Sequence, residues 1–222
     1  MQRKKIPTSE ASVTRQNVLL YVDSRYLSPY AMTAFVALCE KGVDFALATV
    51  DLAARQNEAP QFSAVSLTRR VPTLVHGQFS LAESSAICEY IDETFPGPAL
   101  YPADRQLRAR ARQVQAWLRS DLLPIRVERS TEVVFLRPST APLSDAAQAS
   151  MHRLFSAAQE LIPAEGEHIF GKWCIADLDL AMMLNRLIHN GDPVPERLET
   201  YARRQWQRPS VQRWVRQTRE AA

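Results

Sequence analysis

A chain of 222 residues, 46% hydrophobic and 23% charged, is long enough to bury one large or two modest cores without disulfide or metal staples. No apolar run approaches the ~20 residues that span a bilayer. The polar stretch 1–16, opening on Arg3-Lys4-Lys5, has no apolar segment to make it a secretory signal, so it reads as a frayed tail on a cytoplasmic protein. A net charge of +3 comes with arginine well in excess of lysine, but arginines such as Arg108, Arg110 and Arg112 read as a solvated helix face. No stripe of base-stacking aromatics accompanies them, which argues against nucleic acid. Cys39, Cys88 and Cys174 lie far apart in apolar helical patterns and read as buried, inert thiols, not as a disulfide framework or metal cluster.

In chain order, Val18 to Val22 reads as a strand. Pro29 then sits in the first turn of a helix with Met32, Phe35, Val36 and Cys39 on one face, and Gly42 closes it. A second strand is predicted over 44–50, followed by an irregular or weakly helical stretch through Phe62. Two short strands, 73–76 and 79–81, are joined at Gly77-Gln78. A helix beginning near Ser84 carries Ile87, Tyr90, Ile91 and Phe95. Short segments of alternating type predict a mixed α/β domain over 17–95.

Pro96-Gly97-Pro98, continuing through Tyr101-Pro102, reads as a linker over 96–103. Beyond it the period becomes helical throughout. Faces are formed by Leu107, Ala111, Val114 and Leu118, then by Ala147, Met151, Leu154, Phe155, Ala158 and Leu161 up to Pro163. Leu180, Ala181, Leu184, Leu187 and Ile188 form a third, and Leu198, Tyr201, Val211, Trp214 and Val215 a last set. An all-helical domain is therefore expected over 104–222.

Three short motifs carry chemistry. Ser28-Pro29-Tyr30-Ala31 falls where a strand meets a helix N-terminus, a place that favours negative charge. Thiol–disulfide enzymes of the thioredoxin fold have cysteine there, and the glutaredoxin version reads Cys-Pro-Tyr-Cys. With Ser28 and Ala31 instead, the chain forms no such disulfide, but a hydroxyl can donate to a thiolate held by a ligand. Taken alone, a Ser-Pro at a helix start is more often just an N-cap. Val71-Pro72-Thr73-Leu74 puts a proline at the entry of a strand, either as an edge-strand residue or as a cis proline that frees the valine backbone to pair with a peptide. In Glu83-Ser84-Ser85-Ala86-Ile87, Ser84 can cap a helix or offer N–H groups to a carboxylate, and Glu83 can pair with an ammonium group; a simple capped helix is the other reading.

In this order the motifs match the parts of glutathione: thiolate, cysteinyl backbone and γ-glutamyl end. The chain from Val18 onward resembles the glutathione transferase family on these residues, and the Arg110–Arg126 segment, with Trp117-Leu118-Arg119-Ser120-Asp121-Leu122-Leu123-Pro124, is similar to its bacterial YfcF-like subgroup. The resemblance implies a thioredoxin-like N-terminal domain and an all-α C-terminal bundle, glutathione as cosubstrate without a metal, a homodimer and, from the subgroup, reduction of peroxides. It implies Ser28 as catalytic residue and Arg70, Val71, Pro72, Glu83 and Ser84 as glutathione-binding. Tyr30, Trp117, Arg119 and Arg126 are the candidates for the wall holding an electrophile. Trp173-Cys174-Ile175-Ala176-Asp177 resembles the family's capping box, with cysteine at the cap where serine or threonine is usual; Trp206 to Val211 is also family-like. A non-catalytic binding or regulatory module on the same fold is the alternative.

Overall fold

The computed structural model describes residues 17–221; the expected tail over 1–16 lies outside them. The N-terminal half runs β1 (Val18–Asp23), α1 (Pro29–Glu40), β2 (Ala46–Val50), a 3-10 turn (Gln56–Glu58), α2 (Pro60–Ser63), β3 (Thr73–His76), β4 (Phe79–Ala82) and α3 (Ser84–Thr94). The sheet order is β2-β1-β3-β4, with β1 and β2 parallel and the other pairs antiparallel. In β1 the alternate residues Val18, Leu20 and Val22 are buried, the period-two pattern of a strand with one face on the core. Ala31 to Leu38 are buried without interruption because α1 lies between β1, α3, α8 and α10.

Register determines what lies at each end of this sheet. Tyr21 pairs with Thr73, and Thr73 with Ala82. The loop after β1, the residues before β3 and the residues after β4 therefore emerge at one edge, and these hold Ser28, Val71-Pro72 and Glu83.

The C-terminal half is helical: α4 (Arg105–Ser120), α5 (Leu123–Glu128), α6 (Thr131–Phe135), α7 (Asp145–Leu161), α8 (Ile175–Ile188), α9 (Glu196–Trp206) and α10 (Pro209–Ala221). Side chains of Asp104 and Ser144 cap α4 and α7, each accepting from backbone N–H groups in the first turn. Helix α8 is buried on almost every side, with α4, α9, α6 and α5 packed around it. Its start is organised by Asp177, which is fully buried. The Asp177 carboxylate accepts from the Cys174 N–H (2.9 Å), the Ile169 N–H (2.9 Å) and the Tyr201 hydroxyl (2.7 Å). The Asp177 N–H itself donates to the Cys174 carbonyl at 3.0 Å.

The last apolar set is carried by two helices, broken at Gln207-Arg208 and restarted by Pro209. One expectation needs correction. Of the three cysteines, Cys88 and Cys174 are buried but Cys39, in the last turn of α1 and outside its uninterrupted buried run Ala31 to Leu38, is only half-buried.

Within the N-terminal half, Lys41 after α1 and Asp92 of α3 form a buried ion pair (2.9 Å), and Asp92 also accepts from the Leu100 N–H of the linker at 2.9 Å. Gly97 has φ +118°, and a Cβ there would stand 2.8 Å from the Lys41 carbonyl oxygen. That position requires glycine on both counts.

Candidate functional site

Asp23 ends β1 with its carboxylate buried, accepting from the Leu27 N–H (2.7 Å) and the Ser28 N–H (3.0 Å). This draws the loop into a tight return and delivers Ser28 to the N-cap of α1. The Ser28 oxygen accepts from the Ala31 N–H at 3.2 Å. One lone pair serves the helix, and the hydroxyl donates to nothing among the described residues, so its proton is left to donate elsewhere. Ser28 and Asp23 line a cavity of about 290 Å³ with Arg25, Leu52 and Thr131.

The Val71–Pro72 peptide is cis. Among the described residues neither the Val71 N–H nor its carbonyl has a backbone partner, whereas the Arg70 carbonyl accepts from Thr73 Oγ1 at 2.9 Å. The Arg70 side chain is exposed. At the third motif the sequence reading is refined: Ser84 is the first helical residue of α3, and Glu83 occupies the cap position without making a side-chain cap. Glu83 has φ +72°, an unfavourable region for a residue with a Cβ, and its side chain is exposed. The first backbone bond of α3 is Ile87 N–H to the Glu83 carbonyl (2.9 Å), leaving the N–H groups of the opening turn without backbone acceptors.

Arg119 of α4 reaches this turn. It donates to Ser85 Oγ and to Ser84 Oγ (3.3 Å), pairs with Asp179 (3.2 Å), and lies over the Tyr30 ring at 5.6 Å. Asp179 also accepts from Thr33 Oγ1 and Gln115 Nε2, both at 2.7 Å, so one carboxylate ties α1 and α4 to α8. Arg126 donates to the Tyr30 hydroxyl at 2.7 Å and to the Arg119 carbonyl at 2.5 Å. Tyr30, Arg119 and Arg126 thus share one small cavity beside Pro29, with Asp179 and Arg186. Trp117 stands apart from them, in a groove with Arg110, Val114, Ala157 and Glu160.

Asp23, Asp179 and Arg186 escaped the sequence reading. Each carried a signal: an acid closing an apolar strand just before a helix cap, and, besides Asp177 and Asn185, an acid and an arginine inside the largely apolar run 175–188. Among the described residues no group of three or more histidine, cysteine or acidic side chains could hold a metal ion, and no helix is long and apolar enough to cross a membrane.

Family models match both halves: "Glutathione S-transferase, N-terminal domain" over residues 24–99 and "Glutathione S-transferase, C-terminal domain" over residues 104–219. Glutathione S-transferase 1 of Dianthus caryophyllus is 36% identical over 115 residues, 52% of this chain and 51% of that protein. Glutathione S-transferase theta-2 of Rattus norvegicus is 36% identical over 99 residues, 44% of this chain and 40% of that one. The chain spans about half or less of the length of these curated relatives. A crystal structure of a glutathione transferase homolog from Burkholderia gl BGR1, with bound glutathione, is 50% identical with a TM-score of 0.77, covering 92% of this chain and all of that one. With a thioredoxin-like sheet, a helical second half and more than half of its length matched by the C-terminal model alone, the chain belongs to the glutathione S-transferase family.

Proposed function

We propose that this chain binds glutathione at the sheet edge described above and activates its thiol with Ser28 for transfer to an electrophile or a hydroperoxide. Glutathione bound in the 50% identical Burkholderia homolog supports the cosubstrate. The observation that carries the mechanism is the Ser28 N-cap: its oxygen accepts from Ala31 N–H and its hydroxyl donates to nothing among the described residues, so it is free to donate to a thiolate. A thiol with pKa near ~8.5 becomes mostly thiolate at neutral pH if stabilised by about two units, or ~2.7 kcal/mol. A charge-assisted hydrogen bond contributes roughly 1.5–3 kcal/mol, and the N-terminus of α1 adds to it. No general base is required.

In this reading the Val71 N–H and C=O pair with the cysteinyl backbone beside Pro72, with the exposed Arg70 flanking them. The opening N–H groups of α3 at Ser84 hold the γ-glutamyl carboxylate, and Glu83 its ammonium. Tyr30, Arg119 and Arg126 face the second substrate, and Trp117 belongs to the neighbouring groove. The boundary between glutathione-binding and helical domains falls over 96–103. With a hydroperoxide, as the YfcF-like resemblance implies, the thiolate attacks the outer peroxide oxygen, the O–O bond breaks and the departing alkoxide takes a proton. A second glutathione condenses with the resulting sulfenic acid to give disulfide and water.

The test is Ser28→Ala. Turnover with glutathione and a panel of aryl halides and hydroperoxides should fall at least tenfold while glutathione affinity, read by calorimetry, is retained. Undiminished turnover would move the activation to another group.

A further inference from the structure

Three arginines converge on the cavity beside Tyr30, and their charges are not balanced. Asp179 neutralises Arg119. Arg126 and Arg186 make no ion pair among the described residues, and the Nε–H of each is buried without an acceptor. Arg186 is 4% exposed on α8; one of its terminal nitrogens donates to the Arg129 carbonyl at 2.7 Å, a contact that leaves its charge intact. Burial pushes this guanidinium down to about 10, with Tyr30 opposing the fall and Arg126 adding to it. A buried cation with an idle donor, next to a second one, is costly unless an anion completes it.

We propose that this cavity holds the carboxylate of an acidic second substrate, gripped by Arg126 and Arg186 and flanked by the Tyr30 hydroxyl. Its volume of about 30 Å³ suits two or three heavy atoms and not an aromatic ring. The reacting carbon or oxygen therefore lies outside it, toward the first turn of α1, where Pro29 and Tyr30 line the cavity and directly follow Ser28. Guanidinium planes suit carboxylates in two-point contact. The substrate class is an electrophile or hydroperoxide bearing a carboxylate a short distance from its reactive centre. This deepens the transferase reading and rests on it.

Two probes test the assignment: 4-chloro-3,5-dinitrobenzoate, ionised at neutral pH, and its methyl ester. In both, the glutathione thiolate attacks the ring carbon bearing chlorine, the C–S bond forms and chloride departs with the bonding pair; the thiol proton goes to solvent. Each kcat/KM is divided by the uncatalysed rate with glutathione. The wild type should favour the acid by at least about tenfold, equivalent to ~1.4 kcal/mol. The preference should collapse toward one in Arg126→Gln and Arg186→Met and persist in Arg110→Gln, an exposed charge outside the cavity. Should Arg186→Met fail to fold, the half-buried Arg126 carries the test alone. A wild-type ratio of one or below, or a ratio unchanged in the folded variants, overturns the site. So does a loss of glutathione affinity in Arg126→Gln that matches the loss of acid preference, since the arginines would then hold the tripeptide. If neither probe is turned over, titration calorimetry decides. Acid binding that disappears in Arg126→Gln keeps the site and, if hydroperoxides are also left unreacted, removes the transferase reading, whereas no acid binding removes the site.

Discussion

Ser28 is the residue on which rate and affinity should come apart, and its replacement by cysteine sharpens the point. At the same N-cap the new thiol gains the helix terminus, so oxidised glutathione should form a mixed disulfide at position 28 in Ser28→Cys. The native thiols compete poorly: burial raises Cys39 to about 11 and pushes Cys88 and Cys174 up as well. Peptide mapping by mass spectrometry should place the glutathionyl adduct at position 28 alone, and adducts confined to Cys39 would count against the placement of the bound sulfur. Glu83 supports a second residue-scale prediction. Glu83→Ala should weaken glutathione binding tenfold or more by leaving an ammonium unpaired. Glu83→Gly should bind as poorly yet unfold about 1 kcal/mol later than Glu83→Ala, since only glycine is at ease at φ +72°. Equal stability of the two variants would mean that the backbone relaxes at this turn.

At the scale of elements, the linker yields the clearest expectation. Gly97→Ala adds a Cβ 2.8 Å from a backbone oxygen at a φ that alanine avoids, beside the Lys41–Asp92 pair. A loss of ~1–3 kcal/mol, or roughly 2–4 °C of melting temperature per kcal/mol, should appear by calorimetry. An unchanged melting curve would show that the linker moves freely away from α1. Much of this architecture was legible beforehand. Alternation in Val18–Val22 and the spacing of Met32, Phe35, Val36 and Cys39 are dictated by burial, and burial is what periodicity reports. Short elements escaped for the same reason: α5 and α6 have six residues or fewer, too few turns for a 3.6 period to declare itself. The division of the last apolar set into α9 and α10 was marked by Pro209, but both helices present similar faces to the core. In the candidate site, Ser28, Val71 and Glu83 could be proposed from the sequence because local motifs carry them. Asp179 and Arg186 could not, since their partners lie on α1, α4, α5 and the loop after α5, and no spacing along the chain encodes that meeting.

For the whole molecule, the family resemblance implies a homodimer, and Leu67 on the N-terminal half lies 97% exposed. Light scattering at micromolar concentration should give twice the chain mass, and a clean monomer mass would exclude the pairing. Within one chain the halves are already interdependent. Trp214 of α10 is fully buried, its ring 5.3 Å from that of Phe35 and 5.3 Å from that of Tyr26, and Thr218 donates to the Tyr26 carbonyl at 3.0 Å. One side of α1 is therefore closed by a helix more than a hundred residues downstream of α3. During synthesis at roughly 5–20 residues per second, β1 to α3 emerge on the order of ten seconds before α10. Through that interval the nascent chain presents Phe35 and its neighbours uncovered, a surface of the kind chaperones hold. The first half to leave the ribosome is thus the last to be finished, and protease applied to stalled nascent chains should cut it readily until Pro209–Ala221 has cleared the exit tunnel.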